Sequence, residues 1–387
     1  MQIELTDQHS SDKSDFKRFA DKEIAPYADR FDQEQRIPIE LIEKLAQSGY
    51  LAAILPEEYG GRDMDIVKYG LLTEEIGRGC ASVRSLLTVH DMVAWTLLKW
   101  GSKKQKEYWL PKLASGAAIA ALGLTEPDVG SDAKAVKTAA ALSGDSCVLN
   151  GTKRWVSFGQ IADVFLIFAQ SDGKPAAFLV ERERQGLAVV PITGLLGTKA
   201  SMLGELHLNE CRIPKDNVVG AIGFGFSHVA STALDHGRYS VAWGCVGIAQ
   251  ACLDSCLQYA SERKQFGNHL RDYQLISRMI TDMIVNVKAA RLLCYQAGYL
   301  KSKGDPDAMM ETMIAKYFAS TMLSKVASDA VQIHGANGCS SDYSVQRHFR
   351  DAKVMEIIEG TTQIHQINIA RYAYQGYPSI SHAGREK

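Results

Sequence analysis

Residues 145–158, DSCVLNGTKRWVSF, mark the point where the chain changes character. Apolar and polar residues alternate on both sides of Asn150-Gly151, the dipeptide that most favours a tight hairpin. The segment therefore predicts two strands joined at 150–151. Short runs of the same kind follow: DVFLIFAQS (163–171), AAFLVERE (176–183), LAVVPI (187–192) and GELHLNECRI (204–213), each bounded by Gly, Asp or Pro. Together they predict a small antiparallel β domain over residues 119–222.

On either side the period lengthens from two to between three and four. Upstream, IPIELIEKLAQSGYLAAIL (37–55) has apolar residues at threes and fours, and Gly49 is its stop signal. Residues 65–101 and KQKEYWLPKLASG (104–116) read the same way. Downstream, residues 240–267 form a long helical pattern closed by Gly267. Two more follow, at about 272–303 and 306–335. The downstream helices are too apolar to pack on one side only, so they must bury against other helices or subunits. The expected organisation is an α-helical domain (1–118), a β domain (119–222) and a second α-helical domain (223–387).

Composition excludes several classes of function. The 387 residues carry 43 Lys and Arg against 44 Asp and Glu, a formal charge of −1, so the basic excess of a general nucleic-acid binder is missing. The opening MQIELTDQHSSDKSDF lacks the basic segment and apolar run of an export signal, and no apolar run looks long enough to span a membrane. A cytoplasmic location is expected. The eight cysteines form no CxxC pair and stand at no metal-ligand spacing, so reduced buried thiols and no metal are expected. No GxGxxG follows a strand, GFGF at 223–226 being the nearest approach, and no phosphate-binding GxxxxGK[ST] occurs. A redox cofactor would have to be held without a Rossmann fingerprint.

Five stretches have residues suited to chemistry. LGLTEPDVGSD (122–132) offers Thr125, Ser131 and backbone N–H groups around Gly130 to a polar ring or an anion, or is simply a loop. RWVSFG (154–159) offers Trp155 as a stacking surface and Ser157 as a hydrogen-bonding group, unless the indole belongs to a sheet core. ERKQFG (262–267) places Arg263 at a helix end, where it suits a phosphate or the helix dipole. VQIHGANG (331–338) presents Gln332 beside a Gly-rich turn. MEIIEGTTQIH (355–365) sets one carboxylate, Glu359, among isoleucines. Such a group is either a proton acceptor with a raised pKa or part of a helix start.

In their order and spacing, LTEPDVGSDA, RWVSFG, RKQFG, QIHGANG and RDAKVMEIIEGTTQIH resemble the acyl-CoA dehydrogenase family over essentially the whole chain. The resemblance implies an N-terminal α-helical domain, a middle antiparallel β domain and a C-terminal four-helix bundle. It also implies non-covalently bound FAD and a homodimer or homotetramer. It would place Leu124, Thr125 and Ser131 at the flavin and its pyrophosphate, with Trp155 and Ser157 flanking the ring. Arg263, Phe266, Gln274 and Gln332 would hold the adenine-dinucleotide part across a subunit interface, and Thr361 and Gln363 would touch FAD beyond the base. Glu359 falls on the catalytic base, which removes the α-proton of an acyl thioester. Arg238 and Arg371 match positions near the active site or the substrate's phosphate-bearing arm. An electron-transfer flavoprotein is the implied electron acceptor.

One departure bears on substrate. Ile358 stands where many members have an aromatic residue. The tracts 81–101, 238–252 and 350–360 look similar to a smaller branch that makes hydroxymalonyl or methoxymalonyl extender units for polyketide assembly. That likeness implies a small glyceryl-derived acyl unit on an acyl carrier protein, with Arg84 contacting the polar acyl group unless it is a solvated helix residue. The alternative within the class is a short- or branched-chain acyl-CoA dehydrogenase of acyl-CoA catabolism. A non-catalytic flavoprotein-like subunit and an oxidase on the same fold are further readings, and Glu359 argues against both.

Overall fold

The computed structural model describes residues 5–376. Six helices come first: α1 (Asp7–Phe19), α2 (Ala28–Glu34), α3 (Ile39–Gln47), α4 (Ile66–Gly79), α5 (Ala81–Trp100) and α6 (Lys103–Ala114). Their ends follow local chemistry. Asp65 caps α4 by accepting from the Val67 and Lys68 N–H groups, both at 2.9 Å. Ser102 and Gln105 close a reciprocal capping box on α6. Helix α3 stops before Gly49, which has φ +67°, but residues 50–55 form turns rather than continuing the helix as their periodicity suggested. The pattern over 65–101 resolves into two helices broken at Cys80, whose backbone is extended.

The sheet has eight strands: β1 (Ala120–Gly123), β2 (Ala139–Ser143), β3 (Ser146–Val156), β4 (Val164–Ser171), β5 (Lys174–Glu181), β6 (Leu187–Pro191), β7 (Gly204–Pro214) and β8 (Val218–Val219). Its order is β6-β7-β3-β2-β4-β5-β8, with β1 also on β4. It is mixed rather than antiparallel, because β4 pairs in parallel with both β1 and β2. The chain enters β1 directly from the helical segment and returns to β4 through a long crossover, and such a connection allows parallel pairing.

Asn150-Gly151 is not a hairpin turn. β3 runs straight through it, and the actual turn lies at Gly144-Asp145 between the paired Ser143 and Ser146. Register shifts occur in the β3–β7 ladder between Leu149 and Gly151 and again between Lys153 and Val156. Gly151 has φ +151°, and a Cβ there would stand 2.6 Å from Thr138 Oγ1. The sequence signal therefore marks a bulge and a close approach of backbone, not a reversal of the chain.

The C-terminal segment contains α7 (Ser231–Glu262), α8 (Gln274–Lys303), α9 (Ala308–His334), α10 (Val345–Met355) and α11 (Thr362–Gly376). Between α7 and α8 the chain makes a two-stranded turn, β9 (Lys264–Gln265) with β10 (Asn268–His269), so α7 ends at Glu262 and not at Gly267. By length and composition the helical stretch Gly225–Glu262 would suffice to cross a membrane, contrary to the sequence expectation. However, 72% of its apolar window is buried inside the fold. Small residues make that burial possible: a Cβ on Gly247 would stand 1.9 Å from Glu74 O, and one on Gly244 would meet the Arg84 side chain at 2.8 Å. Helix α4 thus approaches α7 at backbone distance, the Arg84 side chain of α5 packs on the same helix, and Gly237 of α7 faces Met92 of α5 and the Glu359 carboxylate.

Candidate active site

Glu359 sits in the turn between α10 and α11. Both it (φ +55°) and Gly360 (φ +98°) have left-handed backbone, a conformation an L side chain adopts only when its surroundings enforce it. Two cations fix the turn. Arg238 Nε on α7 donates to Glu359 O at 3.0 Å, and Lys316 Nζ on α9 donates to Gly360 O at 2.8 Å. The residue is half-buried, and its carboxylate oxygen Oε2 is buried with no hydrogen-bond partner. The carboxylate lies on Gly237 of α7, where a Cβ would stand 2.7 Å from Oε2. Burial pushes the Glu359 carboxyl up to about 7, against the opposing pull of Arg238, Lys316 and Arg84. Burial likewise lowers Lys316 to about 8, and lowers His365, whose ring packs on Gly360, to about 3. A helix-start role is not what the side chain performs; it is an unsatisfied carboxylate poised to ionise near neutrality.

The β segment presents a different surface. The Arg154 N–H donates to Thr125 O at 2.8 Å and ties the loop after β1 to β3. Beneath the loop, Lys153 Nζ donates to Leu124 O at 3.1 Å and to Glu126 Oε1 at 2.7 Å, and both side chains of this ion pair are buried. Glu126 also accepts from the Lys137 and Thr138 N–H groups and from the Thr138 hydroxyl. The β3 irregularity gives Trp155 φ +60° and leaves its indole 48% exposed, so it is not a core residue of the sheet. Ser157 follows, half-buried, while Leu124 is buried and Ser131 exposed.

The expected dinucleotide residues lie elsewhere on the same chain. Arg263 ends α7, Phe266 stands 94% exposed at the tip of the β9–β10 turn, and Gln274 opens α8. Gln332 is exposed near the end of α9. Thr361 and Gln363 lie at the start of α11, within four residues of Glu359. An uncovered planar indole beside a loop held by a buried ion pair, with exposed cationic, aromatic and amide side chains farther off, fits a long planar cofactor with a phosphate tail. Arg371 is exposed on α11, and no hydrogen bond or ion pair among the described residues joins it to the turn.

Arg84 is not solvated. It is fully buried on α5, with its side chain against Gly244. Sequence reading also missed Lys316, His365 and the seam residues Tyr69, Thr88, Asp91 and Ser240. The signal was there: charged and hydroxyl residues recur on faces of α4, α5, α7 and α9 that periodicity assigns to the core. Without an alignment of faces, a buried polar position looks like a solvated one. All eight cysteines are free, and among the described residues no metal-ligand cluster occurs.

Three family models match in succession: acyl-CoA dehydrogenase N-terminal domain over 6–117, middle domain over 121–211 and C-terminal domain over 223–374. The probable acyl-CoA dehydrogenase fadE25 of Mycobacterium leprae is 37% identical over 374 residues, covering 95% of this chain and 96% of the relative. Glutaryl-CoA dehydrogenase of Desulfococcus multivorans is 37% identical over 380 residues, covering 96% and 97%. Among solved structures, butyryl-CoA dehydrogenase from Megasphaera elsdenii superposes with TM-score 0.93 at 34% identity, covering 97% of this chain and 100% of the other. Glutaryl-CoA dehydrogenase from Mycobacterium smegmatis in complex with FADH2 gives 0.92 at 28%, covering 97% and 96%. FkbI, for biosynthesis of a methoxymalonyl extender unit, gives 0.86 at 31%, covering 95% and 99%.

Proposed function

The chain belongs to the acyl-CoA dehydrogenase family, and from that premise we propose that it oxidises a short acyl-CoA, with Glu359 as the base. It is an FAD-dependent oxidoreductase of acyl thioesters. The observation that carries the assignment of the base is the enclosed, unpartnered Glu359 carboxylate with its proton affinity raised to about 7. A carboxylate freed from water and hydrogen bonds is a stronger base than one in solution, and at neutral pH a large fraction of it is still ionised.

When bound, FAD supplies the acceptor for the β-hydride. The protein's own groups supply the rest. Glu359 takes the α-proton. Arg238 and Lys316 hold the strained 359–360 backbone, so the carboxylate stays over Gly237 without rotational search. The same cations keep the base from being fully protonated, because each favours its charged form. The half-exposed indole of Trp155, with Ser157, Leu124, Thr125 and Ser131, makes the surface for the flavin. Arg263, Phe266, Gln274 and Gln332 would serve the dinucleotide tail, and Thr361 and Gln363 its near end. Arg371 remains a candidate for the substrate's phosphates.

The glutaryl-CoA and butyryl-CoA names among the relatives and neighbours favour a CoA thioester over the carrier-protein thioester expected from the extender-unit likeness. The carrier-bound glyceryl-derived unit is kept as a second reading because FkbI is among the structural neighbours. The three domains 1–118, 119–222 and 223–387, an electron-transfer flavoprotein acceptor, a cytoplasmic location and a homo-oligomer belong to the same proposal. The exposed apolar Leu275, Val285 and Leu292 on α8 support the last.

The test is anaerobic bleaching of the flavin's visible absorbance by butyryl-CoA, other short acyl-CoAs and a glyceryl-derived unit on its carrier protein. Reduction by short acyl-CoAs, lost in Glu359→Gln, is the expected result. Reduction by the carrier-bound unit alone would replace the CoA reading with the second one.

A further inference from the structure

Three stretches of strained backbone, far apart along the chain, share one line of hydrogen bonds. Trp155 and Phe158 in RWVSFG, Thr198 and Met202 on either side of the single turn 199–201, and Glu359 all have left-handed backbone, with φ from +45° to +60°. An L side chain holds this conformation only where its neighbours enforce it. The Phe158 N–H donates to Ser201 O at 2.8 Å, the Gln160 N–H to Met202 O at 3.2 Å, and the Ser201 N–H to Thr198 O at 3.0 Å. The Thr198 N–H donates in turn to Asp351 Oδ1 at 2.5 Å, in the body of α10. Helix α10 then runs into the turn of the base, where the Ile357 and Ile358 N–H groups both donate to Val354 O. Phe158, Thr198, Ser201 and Asp351 are all buried, so water does not interrupt the line.

Asp351 is the joint in this line. Arg347, one helical turn earlier, is the natural partner for a buried carboxylate, yet it comes no nearer than 4.0 Å and its Nη1 has no hydrogen-bond partner. Its Nε donates instead to Asp29 of α2 at 2.7 Å, and Arg350 forks onto Asp32 of the same helix at 2.6 and 3.2 Å. Two ion pairs therefore dock α10 on α2, and the Asp351 carboxylate is committed to a backbone N–H of the β segment. Gly197 permits the approach. A Cβ there would stand 2.5 Å from Arg350 O and 2.8 Å from Asp351 N, and Arg350 Nη1 donates to Leu196 O at 3.0 Å. Residues 196–198 thus lie directly on the backbone of α10. A shift of α10 must carry Thr198 with it, and Thr198 carries Ser201 and Phe158, because close-packed interiors transmit displacements rather than absorb them.

We propose that Asp351, acting through Thr198, is a positioning residue for the oxidation: it fixes the Glu359 turn against the Trp155–Ser157 surface. The inference rests on the reading of Glu359 as the base and of that surface as the flavin's, and it adds the residue that sets one against the other. The α-proton and the β-hydride leave neighbouring carbons of one substrate, so the groups that receive them must be held in register. A misplacement of about 1 Å is enough to cost on the order of 10²-fold in rate. Asp351 serves this purpose from a distance. Its carboxylate reaches a backbone N–H, and the effect on the base passes along α10.

The experiment compares FAD-loaded wild type with Asp351→Ala, Asp351→Asn and Thr198→Gly. Stopped-flow reduction by butyryl-CoA gives the limiting rate and the apparent Kd, and hydrogen–deuterium exchange read by mass spectrometry reports backbone opening without turnover. Asp351→Ala should lower the limiting rate roughly 10- to 100-fold while the apparent Kd stays within about 2-fold. Asp351→Asn keeps an oxygen for the Thr198 N–H and should restore most of the rate. Exchange in Asp351→Ala should quicken in 156–161 and 355–362 together. Thr198→Gly keeps the N–H and suits φ +47°, so it folds even if Asp351→Ala does not. By loosening the joint it should slow reduction about 3- to 10-fold with little change in melting temperature. An unchanged limiting rate, a rate loss matched by weaker binding, no rescue by asparagine, or exchange that quickens only within 196–203 overturns the proposal. Failure of the reading beneath it shows separately, as wild-type flavin that no acyl thioester bleaches.

Discussion

Two buried carboxylates of this chain, Glu126 and Glu359, have opposite surroundings. Glu126 accepts hydrogen bonds from Lys153, two backbone N–H groups and a hydroxyl. Burial pushes its proton affinity up, but these partners pull it below the usual carboxylate value. Glu359 is enclosed as well, yet one of its oxygens has no partner, and burial prevails. The cations mirror this contrast. Lys153 is satisfied by Glu126, whereas Arg84 has two hydroxyls and a thioether as partners, a bare Nε and no ion-pair partner among the described residues. A buried charge that the fold has paired holds structure in place, here the loop of Leu124 and Thr125. A buried charge left unpaired is held ready for a ligand or a proton.

The contrast is broken most directly at the base. Glu359→Gln should slow flavin reduction by an acyl thioester at least ~10³-fold in stopped-flow absorbance, since general-base contributions run that high. The same variant should melt at or above the wild-type temperature. Glu126→Ala should do the reverse in stability, because it strands the Lys153 ammonium in the interior. A loss of ~3–5 kcal/mol in denaturant unfolding is expected. The paired replacement Glu126→Gln with Lys153→Met should recover most of that loss, and failure to recover it would mean the pair does more than neutralise itself.

Titration sharpens the comparison further. Glu359 must be ionised to act, so kcat/KM should rise with pH through about 7. Arg238→Met removes a cation that favours the ionised form and should move that limb to higher pH. Asp91 on α5 is pushed up to about 8 by burial, against the Ala52 N–H that it accepts at 2.7 Å. The folded state therefore retains a proton that the unfolded chain releases near pH 4. Stability falls as pH rises from there through about 8, and Asp91→Asn should flatten this fall by ~1 kcal/mol per pH unit between pH 6 and 8. The smallest effect is expected at Gly151→Ala, which places a methyl against Thr138 in a left-handed bulge. It should cost ~1–3 kcal/mol in chemical denaturation without moving the pH profile.

Much of this architecture was legible along the chain. The change of period from three or four to two and back located the β segment between helical ones. Glu359 drew notice as an acid among isoleucines followed by glycine, but that stretch alone suits a helix start as well, and only the order of motifs along the whole chain pointed to a base. The same reading failed at Asn150-Gly151, because a dipeptide that tolerates left-handed backbone serves a bulge as well as a turn, and only the neighbouring strand distinguishes the two. It also made the sheet wholly antiparallel, since alternation reports a half-buried strand but not the direction of its partner.

By itself the sequence determined the order of helical and sheet segments, the stretches that hold chemistry and the candidate base, because these depend on residue type and on contacts close along the chain. Only the tertiary structure decided that Arg84 is enclosed rather than solvated, that Lys316 and Arg238 hold the turn of the base, and that base and guanidinium share one face of α7. Those facts depend on burial and on charges brought together from segments up to 271 residues apart, as in the contact of Arg84 with Met355. Desolvation, which raises the proton affinity of Glu359 and lowers that of Arg84, is a property of the folded surroundings and not of any residue alone.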